Sequence, residues 1–212
     1  MERLTRGCPR CREPVDGPGG PDCTRHGTGP VLWRAREPSY AGFVEHLAAA
    51  RDFPTYVPWP MAPGWAVSDF AVATEASGVP VATLVSVSGT SELDGPVDVL
   101  LVAEEPGVGL GARCAGLPGR DPGHEMGDQQ PVVRVRIGSL TSSLWTVSTS
   151  AAASAELDRS VLAGEAAGRW LWVVLRPASA VLLMRDDWIL RDVSGGGPLM
   201  VEMPFAGPGP VW

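Results

Sequence analysis

Cys8 and Cys11 are separated by two residues, eleven residues follow, and Cys23 and His26 are again separated by two. A two-residue gap lets both side chains of a tight knuckle reach one ion. Three thiolates and an imidazole then complete a tetrahedron of the kind zinc prefers. The segment between the knuckles has Gly or Pro at each of positions 17–20, which can turn the second knuckle back to face the first. The pattern predicts a structural Zn2+ held by Cys8, Cys11, Cys23 and His26. Four protein ligands saturate the ion and leave no position for a reactive water, so this metal would supply folding energy, not catalysis. A redox Cys-x2-Cys needs a helix behind it to lower a thiol pKa, and Pro14 with the Gly/Pro run opposes one. Disulfide pairing and an unliganded loop are the remaining alternatives.

A second unusual stretch is EEPGVGLGARCAGLPGRDPGHE, residues 104–125. Glu104 and Glu105 end a predicted strand, Gly107, Gly109 and Gly111 alternate, and Arg113 follows. Such a loop could present backbone N–H groups and a guanidinium to an anion or phosphate. The spacing misses G-x-G-x-x-G, because Cys114 occupies the place of a third glycine, three positions beyond Gly111, and recurrent Gly and Pro argue against a helix here. A flexible loop or bulged hairpin is the expectation. His124-Glu125 begins like a zinc-protease motif but lacks the second histidine. Cys114 stands alone and reads as an inert, partly buried thiol. No G-x-S-x-G elbow surrounds any serine.

Composition closes off other chemistry. All 17 basic residues are arginine. Without lysine the chain forms no Schiff base, supplies no P-loop lysine and lacks the strand lysine of a protein kinase. Residues 1–36 carry seven arginines against four acidic residues, net +3, while residues 37–212 carry ten against twenty, net −10. An acidic body repels nucleic acid, although the basic tip could touch a phosphate backbone. No apolar run approaches the roughly 20 residues of a membrane span. No apolar core follows the N-terminal arginines, so the chain reads as cytoplasmic, where thiols stay reduced.

The elements that must position these residues read as mainly β, in an α+β sense. A small zinc-ribbon-like tab and linker (1–36) precedes one helix and a mostly antiparallel β domain (37–204), and 205–212 reads as a loose tail. Ser39 is a candidate N-cap, and Tyr40, Phe43, Val44 and Leu47 have helical spacing, predicting a helix over 40–52. Four prolines within 54–64 make an extended connector. Its Tyr56, Trp59, Met61 and Trp65 either line a groove or, more simply, seal one end of the core. Predicted strands cover 65–74, 79–88, 97–104, 132–138, 143–148, 160–165, 169–175, 180–185 and 188–193. The last four read as a meander with short loops, and a short helix is a further candidate around 151–159.

The CPxC…CxxHG start, VPWPMAPGW, LLVAEEPGVGLGARCAG and AGEAAGRWLWVVLRPASAVLLM together resemble an actinobacterial family designated a domain of unknown function. The resemblance covers residues 8–204. It implies a bacterial cytoplasmic protein with a zinc-ribbon-like start, and it brings no activity or catalytic residue.

The leading reading is therefore a zinc-binding, non-enzymatic module whose partner is another protein. The alternatives are an enzyme or small-ligand binder using loop 104–125, and nucleic-acid contact through the basic tip, the least favoured. The balance of features leans away from an enzyme.

Overall fold

The computed structural model describes residues 3–13, 15, 22–123, 126, 130–150, 158–185, 188–196 and 203–212. The chain runs through β1 (Leu4–Gly7), β2 (Asp22–Cys23), β3 (Gly27–Thr28), β4 (Val31–Ala35), α1 (Tyr40–Ala50), β5 (Tyr56–Pro58), β6 (Ala66–Thr74), β7 (Pro80–Ser91) and β8 (Gly95–Glu104). It continues through α2 (Leu110–Ala115), β9 (Val133–Ile137), β10 (Leu140–Thr146), β11 (Ser160–Ala166), β12 (Arg169–Arg176), a 3-10 helix (Ala178–Arg185) and β13 (Ile189–Asp192). Eleven strands form one sheet in the order β1-β4-β6-β7-β8-β12-β11-β10-β9-β13-β5, and β2 pairs with β3 in a separate hairpin. Every pairing in the large sheet is antiparallel except β13 with β9. The mainly β, antiparallel reading of the sequence holds.

Alternation along the central strands makes two buried faces. On β8, Val97, Val99, Leu101 and Ala103 join the core beneath α1 and the 3-10 helix, while Leu100 and Val102 join the core beneath α2. On β12, Leu171, Val173 and Leu175 face the first side, and Trp172 and Val174 the second. Both faces are covered, so these strands are apolar throughout, as in WLWVVL at 170–175.

Helix α1 starts where Ser39 accepts a hydrogen bond from the Gly42 amide (3.2 Å), the expected N-cap, and lays Phe43 and Leu47 onto the sheet. His46 is wholly buried beside them, stacked on Phe43 and edge-on to Phe70. Burial pushes its pKa down to about 3, so it is neutral.

Three segments differ from the sequence expectation. Residues 180–185 form part of a 3-10 helix and not a strand. Ala180 and Met184 are its buried positions, a helical interval that the apolar run AVLLM conceals. The meander therefore ends at β12, and β13 pairs with β9 and β5. Residues 4–7 and 31–35, read as tab and linker, are the outer strands β1 and β4 of the main sheet, so the metal-ligand segment is a loop between them. In the segment read as a loose tail, Trp212 is 2% exposed, donates its indole N–H to Asp69 (2.8 Å) and lies between the guanidinium groups of Arg34 and Arg113. The helix expected around 151–159 falls largely outside the described residues.

Candidate metal centre

The first knuckle leaves β1 as a tight turn. Its Cys8 amide donates to the Glu13 carbonyl (3.3 Å), and the Arg10 amide donates to Cys8 Sγ (3.4 Å). The second knuckle is the turn of the β2–β3 hairpin, with Cys23 on β2 and His26 just before Gly27, whose φ of +68° closes the turn. Cys8 Sγ lies 3.5 Å from His26 Nδ1, Cys11 Sγ 3.5 Å from Cys23 Sγ, and Cys23 Sγ 3.7 Å from His26 Nδ1. All four donor atoms fall within 4.8 Å of one another, close enough to bind one metal ion. Cys8, Cys23 and Val15 are buried and form a core of their own.

Burial raises the Cys11 thiol to about 11, opposed by the Glu13 backbone and reinforced by Cys23 and Cys8. Three thiols at this spacing resist simultaneous ionisation unless a cation compensates them. Burial also raises Cys23, but backbone N–H groups of Arg25 and His26 and the neighbouring thiols bring it below its ordinary value. His26 is held below its usual pKa by burial, then by Arg10, Arg25 and Arg120, which favours the neutral, ligating imidazole.

Loop 104–125 adjoins this centre. Gly109 (φ +86°) and Gly116 (φ +70°) bracket α2, a one-and-a-half-turn helix in a stretch whose glycines argued against one. Glu104 supplies the cap. Its Oε2 accepts from the Leu110 amide (2.7 Å) and more weakly from that of Gly111 (3.3 Å). The carboxyl is fully buried; burial raises its pKa to about 7, against those two amides. The Trp172 indole N–H stands beside it without hydrogen-bond geometry.

The other loop groups are also engaged within the fold. Glu105 pairs with Arg169 (2.9 Å), and the Gly107 amide donates to Asp121 (2.7 Å). Gly111 lies flat against Trp172. Arg113 donates through Nη1 to the Cys8 carbonyl (2.6 Å) and through Nη2 to the Trp212 carbonyl (3.4 Å). Cys114 is completely buried and its pKa is pushed up to about 12 by burial, which keeps the thiol protonated. His124 and Glu125 lie outside the described residues. The two candidate sites are thus neighbours, an arrangement that no local spacing revealed.

Residues 2–211 match a family described as a family of unknown function (DUF6758). No curated protein and no solved structure matches the chain.

Proposed function

The chain belongs to the DUF6758 family, and for it we propose a zinc-binding, non-enzymatic module that presents a surface to another protein. Zinc is the ion the donor set favours. Around tetrahedral zinc with Zn–S near 2.3 Å and Zn–N near 2.0 Å, neighbouring S and N donors stand about 3.5 Å apart and two S donors about 3.8 Å apart. Three of the six donor–donor edges, at 3.5, 3.5 and 3.7 Å, lie near these values, and all six are within 4.8 Å. With four protein donors the ion has no open position, so it serves to hold the loop between β1 and β4.

The observation that carries this reading is the convergence of the four donor atoms within 4.8 Å, in a loop that the 2.6 Å bond from Arg113 to the Cys8 carbonyl ties to the domain. Glu104, Glu105 and Arg113 are all bound to protein groups, which favours a structural use of loop 104–125 over substrate binding. The basic groups Arg10, Arg25 and Arg120 around His26 make an acidic protein segment a better partner than a basic one. The setting consistent with this reading is a reducing one, such as the cytoplasm.

Elemental analysis of the purified full chain tests it. One equivalent of zinc in the wild type and loss of that zinc in Cys23→Ser are expected. Wild type that takes up no zinc with its thiols reduced, or Cys23→Ser that keeps its zinc, would sink the reading.

A further inference from the structure

Far from the metal loop, the proline-rich connector meets the β7–β8 hairpin and the start of β13 around a cavity of about 540 Å³. That volume lies in the roughly 300–1,000 Å³ range of small-molecule sites. Trp59, Met61 and Trp65 line it, as one reading of the sequence allowed, joined by Leu93, Trp188 and Glu92. Tyr56 is buried and takes no part.

The walls are pinned. The Trp59 amide donates to the Ile189 carbonyl (2.9 Å), the Trp65 amide to Ala62 (3.1 Å), and the Trp188 carbonyl accepts from the Arg136 amide (2.8 Å). The Trp65 ring lies on the bare backbone of Gly89, where an added Cβ would come within 2.4 Å of it. These contacts fix the main chain that carries Trp59, Trp65 and Trp188.

Its chemistry is one-sided. Three indoles, whose π faces are electron-rich, line it, and Glu92 is the single charged side chain among the described lining residues. Glu92 has no ion-pair partner among the described residues. Trp59 already meets one cation, the Arg191 guanidinium, 5.5 Å from its ring. An anion would face Glu92 and apolar walls, and a neutral ligand would leave the carboxylate unused. An organic cation with an apolar body uses indoles, aliphatic walls and carboxylate together. The net −10 of residues 37–212 also raises the local concentration of cations. We propose that this cavity binds organic ammonium compounds, of the quaternary or methylated-amine class, with the ammonium among the indoles near Glu92.

Calorimetric titration of the full chain tests the proposal with benzyltriethylammonium, with choline and its uncharged isostere 3,3-dimethyl-1-butanol, and with benzenesulfonate. Saturable 1:1 binding of benzyltriethylammonium is expected, with choline at least roughly fivefold tighter than its isostere. Glu92→Gln, on an exposed hairpin tip, should weaken both cations roughly three- to tenfold and leave the isostere unchanged. Trp188→Leu, checked for an unchanged far-UV spectrum, should remove cation binding. Equal affinity for choline and its isostere, a preference for benzenesulfonate, an equal effect of Glu92→Gln on the isostere, or no saturable heat from benzyltriethylammonium would each overturn it.

Discussion

Arg113 on α2 donates a 2.6 Å hydrogen bond to the backbone carbonyl of Cys8, a residue 105 positions earlier in the chain. The bond joins the two stretches whose residue types first suggested chemistry. The guanidinium is largely buried and also lies 4.7 Å from the Trp212 ring, so it serves as a three-way clamp among metal loop, helix and C-terminal segment. Arg113→Met keeps the stem and removes the donors. It should destabilise the fold by ~2 kcal/mol, the usual cost of stranding a carbonyl partner of a charged donor. It should also weaken zinc retention against a competing chelator. Urea unfolding and chelator titration read the two effects, and an unchanged midpoint would remove the clamp role.

Metal removal should loosen one loop and spare the sheet. β1 and β4 pair over Leu4–Gly7 and Leu32–Ala35 without help from the ligands, while the small core of Cys8, Val15 and Cys23 has little else to hold it. Chelated protein should keep its far-UV β signal. Trypsin should then cut much faster after Arg10, Arg12 or Arg25, as mass spectrometry of early fragments would show. Equal cleavage with and without zinc would mean that the loop is ordered by packing alone.

The parts of this structure legible in the sequence are those set by local pattern. The ligand spacing is local to each knuckle, the Val133/Val135 alternation marks a strand, and Ser39 marks a helix start. What the sequence hid depends on distant partners. The α2 helix exists because Glu104, from the end of β8, caps it, and because Gly109 and Gly116 bracket its two ends. β1 and β4 are short and partly polar; β4 owes its strand character to β6, about forty residues downstream, and β1 owes its own to β4. Ala178–Arg185 carries an apolar run that fits strand and helix equally, and only burial of Ala180 and Met184 decides between them.

Gly111 stands where no side chain fits. A Cβ there would meet Trp172 at 2.2 Å from Cδ1 and 2.3 Å from Nε1, and Trp172 is a fully buried side chain between β8 and β11. Neither ring nor helix can yield without disturbing the Glu104 cap. Gly111→Ala should therefore destabilise by ~2–3 kcal/mol through overpacking, against the few tenths to 1 kcal/mol that alanine ordinarily gains in a helix. A denaturant midpoint at or above the wild type would show that the contact relaxes freely.

His46 and Glu104 should oppose one another in the pH dependence of stability. The His46 pKa falls from 6.5 to about 3 on folding. The unfolded state thus binds the extra proton between those values, and this group costs stability as pH falls through that range, by at most ~5 kcal/mol. The Glu104 pKa rises from 4.5 to about 7. Here the folded state binds the extra proton, so its contribution is fully present below pH 4.5 and is lost as pH rises towards 7, by ~3 kcal/mol. Between pH 4.5 and 6.5 the two slopes are equal and opposite, and below pH 4.5 the loss from His46 stands alone. The groups around the Glu104 carboxyl are the amides of Leu110 and Gly111, the Trp172 indole and the Asp121 carboxylate, and the last raises its pKa further. Acid also releases the metal by protonating thiolates, so a single stability curve mixes effects. The difference between wild type and Glu104→Gln isolates one carboxyl, because metal loss is common to both. That difference should shift by ~3 kcal/mol against the wild type between pH 4.5 and 7 in urea unfolding. A flat difference would mean that Glu104 stays ionised in the fold and that its cap is a carboxylate throughout.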